Sequence, residues 1–152
     1  MSKLWPFVKY WFPVLVWMGV IFSASSDRMS LEHSSRIIGP IVRYLFPHLS
    51  NEAVRATVFT VRKFAHLTEY AILAVLLWQT QDKPIRGALR PWKPSTAWFA
   101  LSIATLYAVT DEFHQTFVPT RQGSVWDVLL DSAGAATGLF FVWCWKRWRE
   151  SS

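Results

Sequence analysis

The stretch Asp111-Glu112-Phe113-His114-Gln115-Thr116-Phe117-Val118-Pro119-Thr120-Arg121, continuing through Gly123-Ser124 to Asp127 and Asp131, places dense polar chemistry directly between two apolar segments of membrane length. Charges in such a position cost free energy unless they are paired or wet, so they mark the place where the chain does its work. What surrounds the stretch decides the fold. The chain has 152 residues, 52% of them hydrophobic, and ten are Trp, which is too apolar and too aromatic for an ordinary soluble domain of this length.

Working outward, four spans emerge at roughly Pro6 to Phe22, Phe64 to Thr80, Trp92 to Thr110 and Val125 to Trp145. None is free of interruption: Lys9 breaks the first, His66 and Glu69 the second, Lys93 the start of the third, and Asp127 and Asp131 the fourth. A soluble helical bundle is the competing reading. It would need polar faces along its helices, and the segment from Ala97 to Ala108 offers only scattered hydroxyls. The expected architecture is all-α: a single domain over residues 1–152, an integral membrane bundle of four transmembrane helices with an amphipathic helix on the outer face.

Basic residues orient it. Lys3 precedes the first span and Lys9 lies near its start, Lys83, Arg86, Arg90 and Lys93 fill the link between the second and third, and Lys146, Arg147 and Arg149 follow the fourth. All three groups fall on one side of a four-span bundle, which places both termini in the cytoplasm of a multi-pass cell-membrane protein. The formal net charge of +6 then belongs to a cytoplasmic face holding anionic lipid, and nucleic acid is not expected as a partner. The segment from Ala24 to Val61 carries Arg28, Arg36, Arg43 and Arg55, with Arg62 just after it, and would lie outside, offset by Asp27, Glu32 and Glu52. Lys3, the first apolar run and Ser23-Ala24-Ser25 resemble a signal peptide, but Trp5, Trp11, Trp17 and Pro13 suit a packed, retained helix better. The single Cys144 sits among Trp143 and Trp145 and reads as apolar filling.

Between the first two spans, Ile37, Ile38, Ile41, Val42, Leu45 and Phe46 form an apolar face against Arg36, Arg43 and Ser34, with Pro40 at a helix start or kink. Ser50-Asn51-Glu52 offers a helix start, from which one long helix can run to Trp78.

Helical spacing puts Arg62, His66 and Glu69 in one narrow sector with Lys63 and Tyr70 beside it. Asp111 and Glu112 both reach the bundle mouth with Gln115, while His114 points away toward water or the interface. Pro119 ends that helix, Arg121 falls in the turn, and Ser124 is a candidate N-cap with Asp127 in the first turn, able to pair with Arg121. Asp127, Asp131, Gly134 and Gly138 share one face of the last span, where the glycines permit close helix approach and turn the acids inward. His66, Glu69, Glu112 and Asp131 could thus line one outward-opening cavity with Arg121 at its rim. A guanidinium near Lys63 or Arg62 is an anion receptor, whereas His with carboxylates serves acid–base chemistry or a divalent cation. No zincin pattern, Gly-x-Ser-x-Gly turn, phosphate loop or Cys nucleophile is present.

The order Arg62-Lys63-x-x-His66-x-x-x-Tyr70, then Asp111-Glu112-x-x-Gln115-x-x-x-Pro119-x-Arg121, then Asp127-x-x-x-Asp131-x-x-Gly134-x-x-x-Gly138, resembles the VanZ-like membrane family. Ser25-Ser26 after the first span fits too, and the resemblance runs from about Pro13 to Gly138. It implies a small helical envelope protein, associated in some members with resistance to the glycopeptide teicoplanin. The family's polar signature falls on Lys63, His66, Tyr70, Glu112, Gln115, Arg121 and Asp127; Asp131 departs from it, since Asn is common at that place. Three functions follow as expectations. The first is recognition of a lipid-linked or cell-wall precursor group at the outer leaflet, with a membrane lipid or such a precursor as partner and an effect on glycopeptide susceptibility. The second is a hydrolase or transferase on a phosphorylated envelope lipid, with Glu112 or His66 as base and Arg121 as anion clamp. The third is a small proton-coupled transporter, for which four spans without a duplicated half are a poor basis.

Overall fold

A computed structural model describes residues 4–25, 31–82, 91–118 and 123–151. Every regular element among them is helical: α1 (Leu4–Ser25), α2 (Leu31–Leu45), α3 (Asn51–Gln81), α4 (Pro94–Gln115) and α5 (Val125–Glu150). Helix boundaries follow local chemistry. Ser50 caps α3, its hydroxyl accepting from the Ala53 N–H at 3.2 Å, and the helix then runs 31 residues to a C-cap at Asp82. Pro94 opens α4, where the missing proline N–H costs nothing. Ser124 occupies the N-cap of α5 with extended backbone, but its side chain makes no capping bond. The expected Pro119 stop and the cluster of Lys83, Arg86 and Arg90 lie outside the described residues.

α3 is the hub, packing against each of the other four helices. Its closest partner is α5. A Cβ on Gly134 would stand 2.3 Å from the Leu67 carbonyl oxygen, and one on Gly138 would stand 2.6 Å from that of Ala71. The two glycines therefore let α5 ride on the α3 backbone, as the small residues of the sequence suggest. Because Gly134 meets Leu67 and Gly138 meets Ala71, α3 and α5 run parallel. α4 buries a stripe of Ala100, Ala104 and Ala108, one residue per turn, which ends in Asp111, Glu112 and Gln115. α1 docks Val14, Ile21 and Ser25, and two hydrogen bonds tie it down: the Trp17 indole donates to the Glu69 carbonyl at 2.9 Å, and the Tyr107 hydroxyl to the Met18 carbonyl at 2.7 Å.

Two lysine–aspartate clasps bracket the glycine contact. Lys63 on α3 pairs with Asp127 on α5, and nineteen residues further along each helix Asp82 pairs with Lys146 at 2.5 Å. The second clasp is the more enclosed, with Lys146 2% and Asp82 7% exposed, and the Trp78 ring covers the ammonium at 4.5 Å.

The surface inverts the pattern of a soluble protein. Charged and polar side chains such as Asp111, Glu112, Asp131 and Lys146 are buried beside an apolar core, while Phe12, Leu15, Trp98, Leu106, Phe113, Trp126, Phe140 and Phe141 face outward. Among the described residues two helices are long and apolar enough to cross a membrane by length and composition alone, Val8–Ser25 and Val125–Glu150. α2 shares the inverted character: Val42 is buried, whereas Ile37, Ile41, Tyr44 and Leu45 are exposed.

Candidate functional site

Three helices deliver the site residues to one end of the bundle. α4 contributes Asp111, Glu112 and Gln115, all buried at the end of its alanine stripe. The Gln115 side chain lies between the two acids, its amide donating to Asp111 Oδ2 at 3.2 Å and to Glu112 Oε1 at 3.1 Å. Both acids are engaged again from other elements. The Ser25 hydroxyl at the end of α1 donates to Asp111 Oδ2 at 2.6 Å, and the Ser124 backbone N–H donates to Glu112 Oε2 at 2.8 Å. Gly123 makes that last bond reachable, since a Cβ there would fall 2.5 Å from the Glu112 carbonyl oxygen and 2.7 Å from Thr116 Cγ2. Glu112 thus ties the start of α5 to the end of α4, and each of its oxygens already holds a donor.

α3 and α5 complete the cluster. Lys63 donates to Asp127, the partner that the structure assigns to this acid; the expected pairing with Arg121 lies outside the described residues. One turn deeper, Asp131 is 1% exposed and neither carboxylate oxygen has a hydrogen-bond partner. Tyr70, 0% exposed, likewise has no partner for its hydroxyl. The two are close enough to interact electrostatically, and Tyr70 is also within reach of Asp111 and Glu112. Asp131 in turn senses Glu112, Asp111, Asp127 and the compensating charge of Lys63. Buried groups left in this condition are rare, because an unsatisfied polar atom costs about 1–3 kcal/mol.

Of His66, Glu69, Glu112 and Asp131, expected to line one cavity, the structure brings Glu112 and Asp131 within electrostatic reach of each other and of Tyr70, while Arg121, expected at the rim, lies outside the described residues. His66 and Glu69 form a pair of their own on α3, with Nδ1 and Oε2 3.6 Å apart and both side chains about one-fifth exposed. His114, expected to face water or the interface, is half-buried and packs its ring on the exposed Phe22 of α1, with centroids 4.5 Å apart. Among the described residues no group of three or more His, Cys, Asp or Glu is placed to hold a metal ion, so the candidate divalent cation finds no ligand set there.

One contributor is not marked by sequence spacing: Ser25 stands there in a serine pair and in Ser23-Ala24-Ser25, and its bond to Asp111 crosses the bundle. At the opposite end of the bundle the flanking Lys146 is also buried, on the inward face of α5, and pairs with Asp82 at the C-cap of α3.

No curated protein and no solved structure shows significant similarity to the chain. A family description does match, over residues 10–146, and that range contains all five helices for most of their length as well as the whole polar cluster. By this match the chain belongs to the VanZ/LLP1 family, and it is a membrane protein of the cell envelope.

Proposed function

We propose that the chain is a four-span bundle with both termini in the cytoplasm, and that its polar cluster recognises a lipid-linked or cell-wall precursor group at the outer leaflet, thereby altering susceptibility to glycopeptides such as teicoplanin. The two clasps support the span count. Lys63 to Asp82 on α3, and Asp127 to Lys146 on α5, each cover nineteen residues, about 28 Å at 1.5 Å per residue, close to the roughly 30 Å of a bilayer's hydrocarbon core. Charges that must be paired then sit at the two interfaces, and the apolar outer surface lies between them. Lys146, Arg147 and Arg149 at the far clasp mark the cytoplasmic side, so the Lys63–Asp127 end faces out. α2 with its exposed Ile37, Ile41 and Leu45 fits the outer interface.

The observation that carries the recognition reading is the pair of unsatisfied buried groups, Asp131 and Tyr70, beneath the Lys63–Asp127 clasp. Buried groups of this kind keep hydrogen-bonding capacity that a bound head group would use.

Native mass spectrometry of gently solubilised protein, beside its Arg121→Ala and Glu112→Gln variants, tests this reading. Recognition requires a co-purified envelope lipid or precursor in the wild type, lost from folded Arg121→Ala. Turnover of a phosphorylated lipid by the wild type, with ligand retained but turnover abolished in Glu112→Gln, would replace recognition with hydrolysis or transfer.

A further inference from the structure

We infer that the Asp131–Tyr70 recess receives a primary ammonium group, an inference that rests on the recognition reading and names the chemistry of what is recognised. The hydrogen-bond inventory leads there. Apart from the Tyr70 hydroxyl itself, which can both donate and accept, the donors around the pair that the described residues supply are committed: the Gln115 amide to Asp111 and Glu112, the Ser25 hydroxyl to Asp111, the Ser124 N–H to Glu112, the Tyr107 hydroxyl to Met18 and the Lys63 ammonium to Asp127. What remains is an excess of acceptor capacity. Asp131 offers two oxygens with no partner, and the Tyr70 oxygen a third, all within a residue pair that is almost completely buried.

Charge points the same way. Glu112, Asp111 and Asp127 all oppose the ionised form of Asp131, and among the described residues Lys63 is the cation that offsets them. A ligand that brings positive charge to Asp131 stabilises the carboxylate that burial and these neighbours disfavour. An ammonium supplies three N–H donors on one compact centre, matching three acceptors. A divalent metal would need a tighter ring of ligands than the described residues form. The floor of the recess is rigid, because Gly134 holds α5 against the Leu67 backbone one turn below Asp131. Specificity follows: a site built to hydrogen-bond an ammonium rejects the acetylated amide, which carries no charge and one N–H.

Two sources share this chemistry, the head group of an aminophospholipid and the free amine of a cell-wall precursor peptide. The test uses full-length protein in nanodiscs of phosphatidylglycerol and titrates two probes, phosphatidylethanolamine and an amine-bearing precursor lipid, each beside its N-acetylated counterpart. Retention by native mass spectrometry should favour the free amine by about tenfold or more for one of the two, and whichever is retained identifies the source. Asp131→Asn should lower that retention by about tenfold. Tyr70→Phe, which keeps the ring, should lower it by a smaller factor, and it serves if Asp131→Asn fails to fold. Equal retention of free and acetylated probes, or no loss in either variant, overturns the ammonium assignment. If acetylated precursor still binds and Asp131→Asn abolishes it, recognition at this site stands and only the ammonium chemistry falls. If neither precursor form binds and teicoplanin susceptibility is unchanged by Asp131→Asn, the recognition reading falls as well.

Discussion

Replacing Gly134 by Ala adds one methyl group where the bundle has no room. The new Cβ would lie 2.3 Å from the Leu67 carbonyl oxygen, 2.9 Å from its Cα and 3.0 Å from its carbonyl carbon, while ordinary contact begins at 3.4 Å. These are backbone atoms of a helix, so no side chain can swing aside. Relief requires α5 to withdraw from α3 by about 1 Å, and overpacking of this kind costs about 1–3 kcal/mol. The same withdrawal would stretch the 2.8 Å bond from Ser124 N–H to Glu112 and strain both clasps. Gly19→Ala is the control, because nothing lies within 4 Å of a Cβ at that position. There the exchange should be neutral or stabilising by up to about 1 kcal/mol, through helix propensity alone. Reversible unfolding in mixed micelles, followed by fluorescence of the ten tryptophans, should separate the two variants clearly. Equal stability for Gly134→Ala and the wild type would refute the close α3–α5 contact and, with it, the geometry of the recess.

Further outcomes follow from other contacts. Lys146→Met strands the buried Asp82 and should destabilise by about 3–5 kcal/mol, whereas the double variant with Asp82→Leu should recover most of that loss in the same unfolding assay. Glu112→Gln places an amide N–H2 against one of the two donors now held by Glu112, at a cost of about 1–3 kcal/mol; faster hydrogen exchange at the start of α5 should report it, and unchanged exchange would show that the tie is not needed. Tyr107→Phe removes the bond to the Met18 carbonyl and should cost about 1 kcal/mol, visible as a lower midpoint with an unchanged denaturant slope. Cysteine substitutions at exposed Asn51 and exposed Arg147 should be labelled by an impermeant reagent from opposite faces of the membrane; labelling from one face would contradict the four-span topology.

The helices were legible because their signals are local. Runs of apolar residues, Ser50 before Asn51, and Pro94 at a helix start each act within a turn or two of themselves. The glycine contact was legible in part: Gly134 and Gly138 announce a close approach, but only the fold reveals that Leu67 and Ala71 receive it. Pairings across the bundle were not legible. Lys63 with Asp127, Ser25 with Asp111 and Lys146 with Asp82 join residues more than sixty positions apart, and helix register, which no single segment specifies, decides them. For the same reason the sequence could place His66, Glu69, Glu112 and Asp131 at one end of the bundle without telling which of them meet. The alanine stripe of α4 was overlooked because alanine carries little hydropathy signal, although its spacing of four marks a packing face.

Recognition at the recess stands or falls on teicoplanin susceptibility in a sensitive host that expresses the wild-type chain and its Asp131→Asn and Gly19→Ala variants at membrane levels matched by immunoblot. Protection by the wild type and by Gly19→Ala, with its loss in Asp131→Asn, is the expected result. Unchanged susceptibility with the wild type present in the membrane, or full protection by Asp131→Asn, would contradict it.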